Sequence, residues 1–381
     1  MLIGATYDAP MDFATVAPYV AKPLTLSPFR AVMLAPARVG DPASARALAR
    51  PYRDVADRLS GWIAQGWARE DSSPALYLHE YTVGGLTIRG LVGVLDVSRR
   101  AELLADRAVW PHEAIHPEQA GELADRMLQM KLNPAPILLV HHGARELRER
   151  ISSVGQGEPD WSYLDRAGQR QRIWAIRDRE LLADFAHHIA TTRCLLADGH
   201  HRYAAYLRLQ QEQPGSMWSA GLAMLVDQLD TPLFLGPIHR TVSGTDLDAI
   251  ATAARSAGAA VRELGRVQAL DELDRNHLVI TDSTRWVSVR PHGLDGATLV
   301  AWLHQTLLPG TNSDQWSIGH HHSVEEALAT ASTTKPSVLL PSPDFGQVLS
   351  LVEAGGLLPE KATSFQPKPS LGALMRPVPD E

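Results

Sequence analysis

The run Cys194-Leu195-Leu196-Ala197-Asp198-Gly199-His200-His201-Arg202-Tyr203 gathers a carboxylate, a glycine, two imidazoles and a guanidinium into five consecutive positions. Leu195 to Ala197 read as the end of a buried strand, and Tyr203 to Gln210 as a helix with an apolar face. The polar cluster therefore falls at a helix N-terminus. Unpaired backbone N–H groups and the positive end of the helix dipole collect anions there, and Gly199, lacking a Cβ, would let a phosphate approach the backbone. A plain cap and turn accounts for Asp198 and Gly199 but leaves His200, His201 and Arg202 unexplained. A carboxylate at the same helix end repels phosphate unless a metal ion or a transferable proton lies between them. Phosphate chemistry with Asp198 as a working group is the expectation.

Two further constellations fit such chemistry. His112 and Glu113 follow Pro111 in a loop before a helix. An imidazole beside a carboxylate can act as a general base or a Mg²⁺ ligand, and equally can be a helix-entry pair. Lys361, Thr363, Ser364 and Lys368 lie within eight residues, among Pro359, Pro367 and Pro369. They read either as a proline-stiffened loop that clamps phosphate oxygens or as an exposed tail. Zinc at His320-His321-His322 is disfavoured, because neighbours on a strand point to opposite faces and no four-ligand spacing is present; no metal site is assigned. His141-His142 and His187-His188 read as surface or core histidines. Cys194 sits in an apolar strand and is not proposed as a nucleophile.

The Asp-Gly-His-His-Arg-Tyr run resembles the signature of the bacterial and archaeal family called domain of unknown function 1015, and more distantly the phosphate-binding box of ParB and sulfiredoxin folds. Ser27-Pro28-Phe29-Arg30, Trp110-Pro111-His112-Glu113, Asn133-Pro134-Ala135-Pro136-Ile137, Gly236-Pro237-Ile238-His239-Arg240 and Pro359 to Lys368 resemble the same family in the same order, from about Ser27 to Pro377. The resemblance implies a ParB-like core and the handling of a phosphorylated small molecule or nucleotide. It draws His112, Glu113 and the Lys361–Lys368 segment toward the site, and adds His239, Arg240, His322 and Asn133 as further candidates. Two departures stand out. The family's Ala-Pro-Pro-Tyr-Asp segment is missing, its nearest remnant being Arg50-Pro51-Tyr52-Arg53-Asp54, and a family His-Asp pair reads here as His322-Ser323.

The elements that must position these residues belong to an ordinary globular chain of 381 residues, 45% hydrophobic and 21% charged. A net charge of −7 supplies no electrostatic footprint for nucleic acid. No run approaches the roughly 18 apolar residues of a membrane span, and with a single cysteine a cytoplasmic location is expected. Periodicity predicts a helix over 44–67 interrupted at Pro51, a hairpin of 75–82 and 86–95, helices over 117–131, 178–189, 246–256 and 324–330, and strands at 137–140, 171–176, 217–226, around His239, and at 277–281, 286–289 and 338–340. The expected class is α+β (mixed α/β), with mixed sheets and packed helices. The expected division is an arm over 1–27, an α/β part over 28–150, the ParB-like core over 151–243 and a C-terminal α/β part over 244–381.

The functional expectation is phosphoryl transfer or phosphate-ester hydrolysis on a nucleotide or small, serine-related phosphorylated metabolite, kinase- or phosphohydrolase-like. Asp198, His200, His201 and Glu113 are the candidate catalytic groups. Gly199, Arg202, His112, Lys361, Thr363, Ser364 and Lys368 are the candidate phosphate contacts, with Mg²⁺ and a nucleotide as candidate cofactors. The alternative is a non-catalytic nucleotide sensor, kept open by the two departures; the sequence assigns no oligomeric state.

Overall fold

The computed structural model describes residues 15–49, 54–274, 276–311 and 316–379. Residues 1–14 of the expected arm and the Arg50–Arg53 remnant lie outside that range. The chain forms two compact units, each assembled from segments distant in sequence. The first comprises Ala17–Pro111, Ile115–Leu233 and the chain from Pro367 onward; the second is principally His112–Ala114 and Phe234–Gln366. Consecutive boundaries near 150 and 243 do not describe this partition. The mixed α+β class does hold, and among the described residues no helix is long and apolar enough to cross a membrane.

The first unit is organised by a mixed sheet in the order Val109–Pro111, Cys194–Asp198, Ile137–His141, Ala220–Asp227, Leu86–Asp96, Leu76–Val83, Arg170–Ile176, Trp161–Leu164, with Leu26–Ser27 on Leu86–Asp96. Leu195 and Leu196 are fully buried, each contributing about 2 kcal/mol of burial free energy. That strand runs parallel to Val109–Pro111 and antiparallel to Ile137–His141, with a register shift between Leu196 and Asp198. The bulge re-aims the chain where the strand gives way to the helix His200–Glu212.

That helix begins three residues before the expected Tyr203. Its N-cap is Gly199 at φ +89°, and Asp198 is the last strand residue rather than the cap. It packs on the helix Pro117–Met130, which opens with a proline at its first turn and buries Ala120, Ala124 and Met127 at helical spacing. Tyr203 and Tyr206 anchor it from the other side. Tyr203 Oη donates to the Pro18 carbonyl at 2.8 Å and accepts from Val20 N at 3.0 Å. Tyr206 lies over Gly221, where a Cβ would come within 2.1 Å of the ring.

The second unit holds an antiparallel sheet ordered Ala260–Leu264, Trp286–Arg290, Leu278–Thr281, Ser337–Leu339, His239–Ser243, Ser317–His321, and a separate pair of Phe234–Pro237 with Thr363–Gln366. The segment expected as a stiffened loop or tail thus contains a strand, because Thr363, Ser364 and Phe365 are buried and their backbone finds partners. Ser323 caps the helix Val324–Thr330 by accepting from Glu326 N, a task an Asp performs equally. The expected helix over 44–67 is two helices, Pro42–Ala49 and Val55–Ala64. Replacing Tyr203 with Phe leaves the buried Val20 N–H without its acceptor at a cost of about 2 kcal/mol. The expected drop in melting temperature is about 4 °C; an unchanged value would contradict the anchoring role.

Candidate functional site

In the first unit the bulge and Gly199 place Asp198 at the start of the helix. Lys368 Nζ bonds its Oδ1 and Arg202 its Oδ2. Arg202 Nη1 also donates to the carbonyls of Ala135 at 3.1 Å and Pro136 at 2.6 Å. A Cβ on Gly199 would fall 2.9 Å from Arg202 Nη2 and 3.0 Å from Ile137, so the space the glycine opens is filled by the guanidinium. Burial alone would raise the Asp198 carboxyl pKa; Arg202, Lys368 and His200 outweigh it and hold that carboxyl below the usual range. Asp198 is ionised throughout the neutral range. Two cations face one carboxylate, and the Lys368 side chain remains 46% exposed.

His201 Nε2 accepts from the backbone N–H of His116 at 3.1 Å, and the two rings stack with planes 8° apart. An accepting Nε2 places the proton of the neutral ring on Nδ1. His200 is buried beside Asp198. Tyr81 donates to the Pro367 carbonyl at 2.8 Å and so fixes the residue preceding Lys368. On the same strand, His79 lies 2.7 Å from Gln171 Oε1, and Gln171 Nε2 donates to Asp165.

In the second unit the buried His112 and Glu113 converge on Thr363. His112 Nε2 is 2.6 Å from Thr363 Oγ1. Glu113 Oε1 accepts from Thr363 N and Oγ1, both at 3.2 Å, and Oε2 accepts from Lys361 N at 3.1 Å. This carboxylate clamps the backbone of residues 361–363 rather than the entry of the following helix. Lys361 takes φ +55°, and its half-exposed Nζ lies 3.8 Å from Glu360. Arg240, fully buried, donates to the carbonyls of Ile238 at 2.6 Å and Lys361 at 2.8 Å and to His304 Nε2 at 3.2 Å. Ser364 Oγ accepts from Gln366 Nε2, and His239 Nδ1 accepts from Leu340 N.

The structure therefore groups Asp198, Gly199, His200, His201, Arg202 and Lys368 in one unit, and His112, Glu113, Lys361, Thr363, Ser364, His239 and Arg240 in the other. Two further candidates have these surroundings. Asn133 accepts from Arg376 at 3.1 Å and from Leu222 N at 3.3 Å within the first unit's core. His322 is exposed, its backbone N–H bonding Glu326. Sequence reasoning missed Tyr81 and His79; the signal was there, since Tyr77, His79 and Tyr81 place polar-tipped rings at every second residue of one buried strand face. His304 carried no signal.

A protein-family model described as Protein of unknown function (DUF1015) matches residues 20–303, most of the chain, and the chain belongs to that family. The Pro359–Lys368 segment lies beyond the matched range. No curated protein matches the chain. Solved structures similar to it include SbnI with a C-terminal truncation from Staphylococcus aureus, at 10% identity, covering 75% of this chain and 87% of that one with a TM-score of 0.44. A variant free serine kinase in complex with AMP is similar at 14% identity, 75% and 92% coverage and TM-score 0.43. A conserved hypothetical protein from Pyrococcus furiosus is similar at 14% identity, 70% and 92% coverage and TM-score 0.38.

A resident Mg²⁺ does not fit the helix-start cluster, because both oxygens of Asp198 are engaged by cations. Among the described residues no group of three or more His, Cys, Asp or Glu could hold a metal ion. Burial, the largest cause, lowers the pKa of His79 and His239 to about 4 and of His320 to about 3; Arg240 adds to the effect at the latter two. These rings are neutral in the fold, whereas unfolded histidine takes a proton below about pH 6.5. Their contribution is present above pH 6.5 and is lost as pH falls toward 4. Melting temperature should decline steadily from pH 6.5 to 4.5, and a flat profile across that window would show that they are not buried neutral.

Proposed function

We propose that the chain binds the phosphoryl group of a nucleotide or small phosphorylated metabolite at the N-terminus of the helix His200–Glu212, and transfers or hydrolyses it. One observation carries this reading: a single carboxylate accompanied by two cations at the positive end of a helix leaves excess positive charge where an anion can reach it. Lys368 is the more exposed partner. It can turn from Asp198 to a phosphate oxygen, while Arg202, tied to two carbonyls, supplies fixed charge. His201 follows in the first turn of the helix, and His200 stands beside the carboxylate.

Asp198 in this reading orients the attacking hydroxyl or water. A firmly ionised carboxylate suits that task, because a loose phosphoryl-transfer transition state needs positioning more than early proton removal. The ParB-like phosphate box inferred from sequence remains part of the proposal. Within the second unit taken by itself, His112, Glu113 and Thr363 fix the backbone around Lys361, and Lys361 with Ser364 is proposed as a separate anion contact of that unit. The many internal acceptors of Arg202 favour a second reading, a binding site that senses the phosphate without turnover.

Both readings are separated by titrating nucleotides, phosphoserine and serine with ATP while following binding and phosphoryl products. Lys368→Ala should weaken the phosphorylated ligand about tenfold with little change in melting temperature. Asp198→Asn should bind it at least as tightly, since a repelling charge is gone, and should lose turnover by about 10²–10³-fold. Binding without any product would establish the sensor, and equal affinity in the Lys368→Ala protein would refute the site.

A further inference from the structure

The first unit contains a cleft of about 770 Å³ whose lining includes Phe29, Leu59, Ile63, Met130, Lys131 and Arg376. Its size suits a small organic ligand. The walls are largely apolar, and Ile63 and Met217, both on the lining, are among the large hydrophobic side chains left exposed, at 37% and 39%. Arg376 is 4% exposed. Its Nη1 donates to Asn133 Oδ1 at 3.1 Å and the Ala220 carbonyl at 2.5 Å, and its Nη2 to the Met217 carbonyl at 2.6 Å.

These acceptors are neutral. Elsewhere in the unit, Arg89 and Arg172 both meet Glu80, and Arg202 meets Asp198. Among the described residues no carboxylate pairs with Arg376. Burial lowers its pKa to about 10, so it stays charged at neutral pH. A buried charge whose described partners are carbonyl dipoles is costly, and an anion brought in by a ligand would offset that cost. Among the described residues three of its five N–H groups find acceptors, leaving Nε–H and one on Nη2, and two donors are what a planar carboxylate takes from a guanidinium.

We propose that this cleft is a binding site for an aliphatic monocarboxylate, its carboxylate met by Arg376 and its hydrocarbon body packed on Phe29, Leu59 and Met130. None of the lining residues belongs to the Asp198 cluster, so the proposal stands apart from the phosphoryl reading. Calorimetric titration of the full chain with decanoate, decanol and inorganic phosphate tests it. Decanoate should bind at least about tenfold more tightly than decanol, a difference of about 1.4 kcal/mol, and inorganic phosphate should not compete. Arg376→Gln should weaken decanoate about tenfold. Ile63→Trp, which fills the cleft from a part-exposed position, should do the same and carries the test if the Arg376 variant fails to fold. Absent decanoate binding, equal affinity for decanol, competition by phosphate, or undiminished binding to folded Ile63→Trp would each overturn the site.

Discussion

Asp198 is a carboxylate that the fold has partly withdrawn from water at the end of a strand, and burial of an ion is tolerated only where charge and hydrogen bonds replace the lost hydration. Arg202 does so from the next helical turn and Lys368 from 170 residues further along the chain. The remaining local features follow from bringing them there. The bulge before Asp198 turns the carboxylate, Gly199 accepts the left-handed backbone and leaves room for the guanidinium, Ala135 and Pro136 orient Arg202, and Tyr81 pins Pro367 so that Lys368 arrives in register. The excess of one positive charge is a consequence of that arrangement, and it is what the proposed anion site rests on.

The clamp in the second unit uses the same economy with different groups. Glu113 takes two backbone N–H groups and a hydroxyl, and the neighbouring imidazoles of His239 and His320 are held neutral by burial beside the positive charge of Arg240. A charged histidine would add to a cation that is itself fully buried. Neutrality lets His239 and His304 serve as acceptors, as their bonds from Leu340 N and Arg240 Nε show.

The hairpin at Val83-Gly84-Gly85 and the helix Pro117–Met130 were legible because glycine turn chemistry, strand alternation and a proline-started apolar stripe agree locally. The helix Arg145–Gln156 was not, since it buries only Leu147 and Ile151 and otherwise reads as a run of charge. The Asp198 cluster was visible as chemistry, yet its wiring was hidden. The sequence shows that Asp198, Arg202 and Lys368 exist; that they satisfy one another depends on a contact across 170 residues, which no local pattern records. For the same reason the hold of Glu113 on the backbone of Lys361 and Thr363 could not be read from its place before a helix, and Thr363 read as loop and proved to be strand.

The proposed anion site depends on the coupling of Asp198 to Lys368, and a double-mutant cycle of Asp198→Asn and Lys368→Met in urea unfolding measures it most directly. With Lys368 half-exposed, solvent screening limits the expected coupling to about 1 kcal/mol, diminishing with added salt. Strict additivity of the two substitutions at low ionic strength would mean that the carboxylate and the ammonium act independently, and would contradict the arrangement on which the anion site depends.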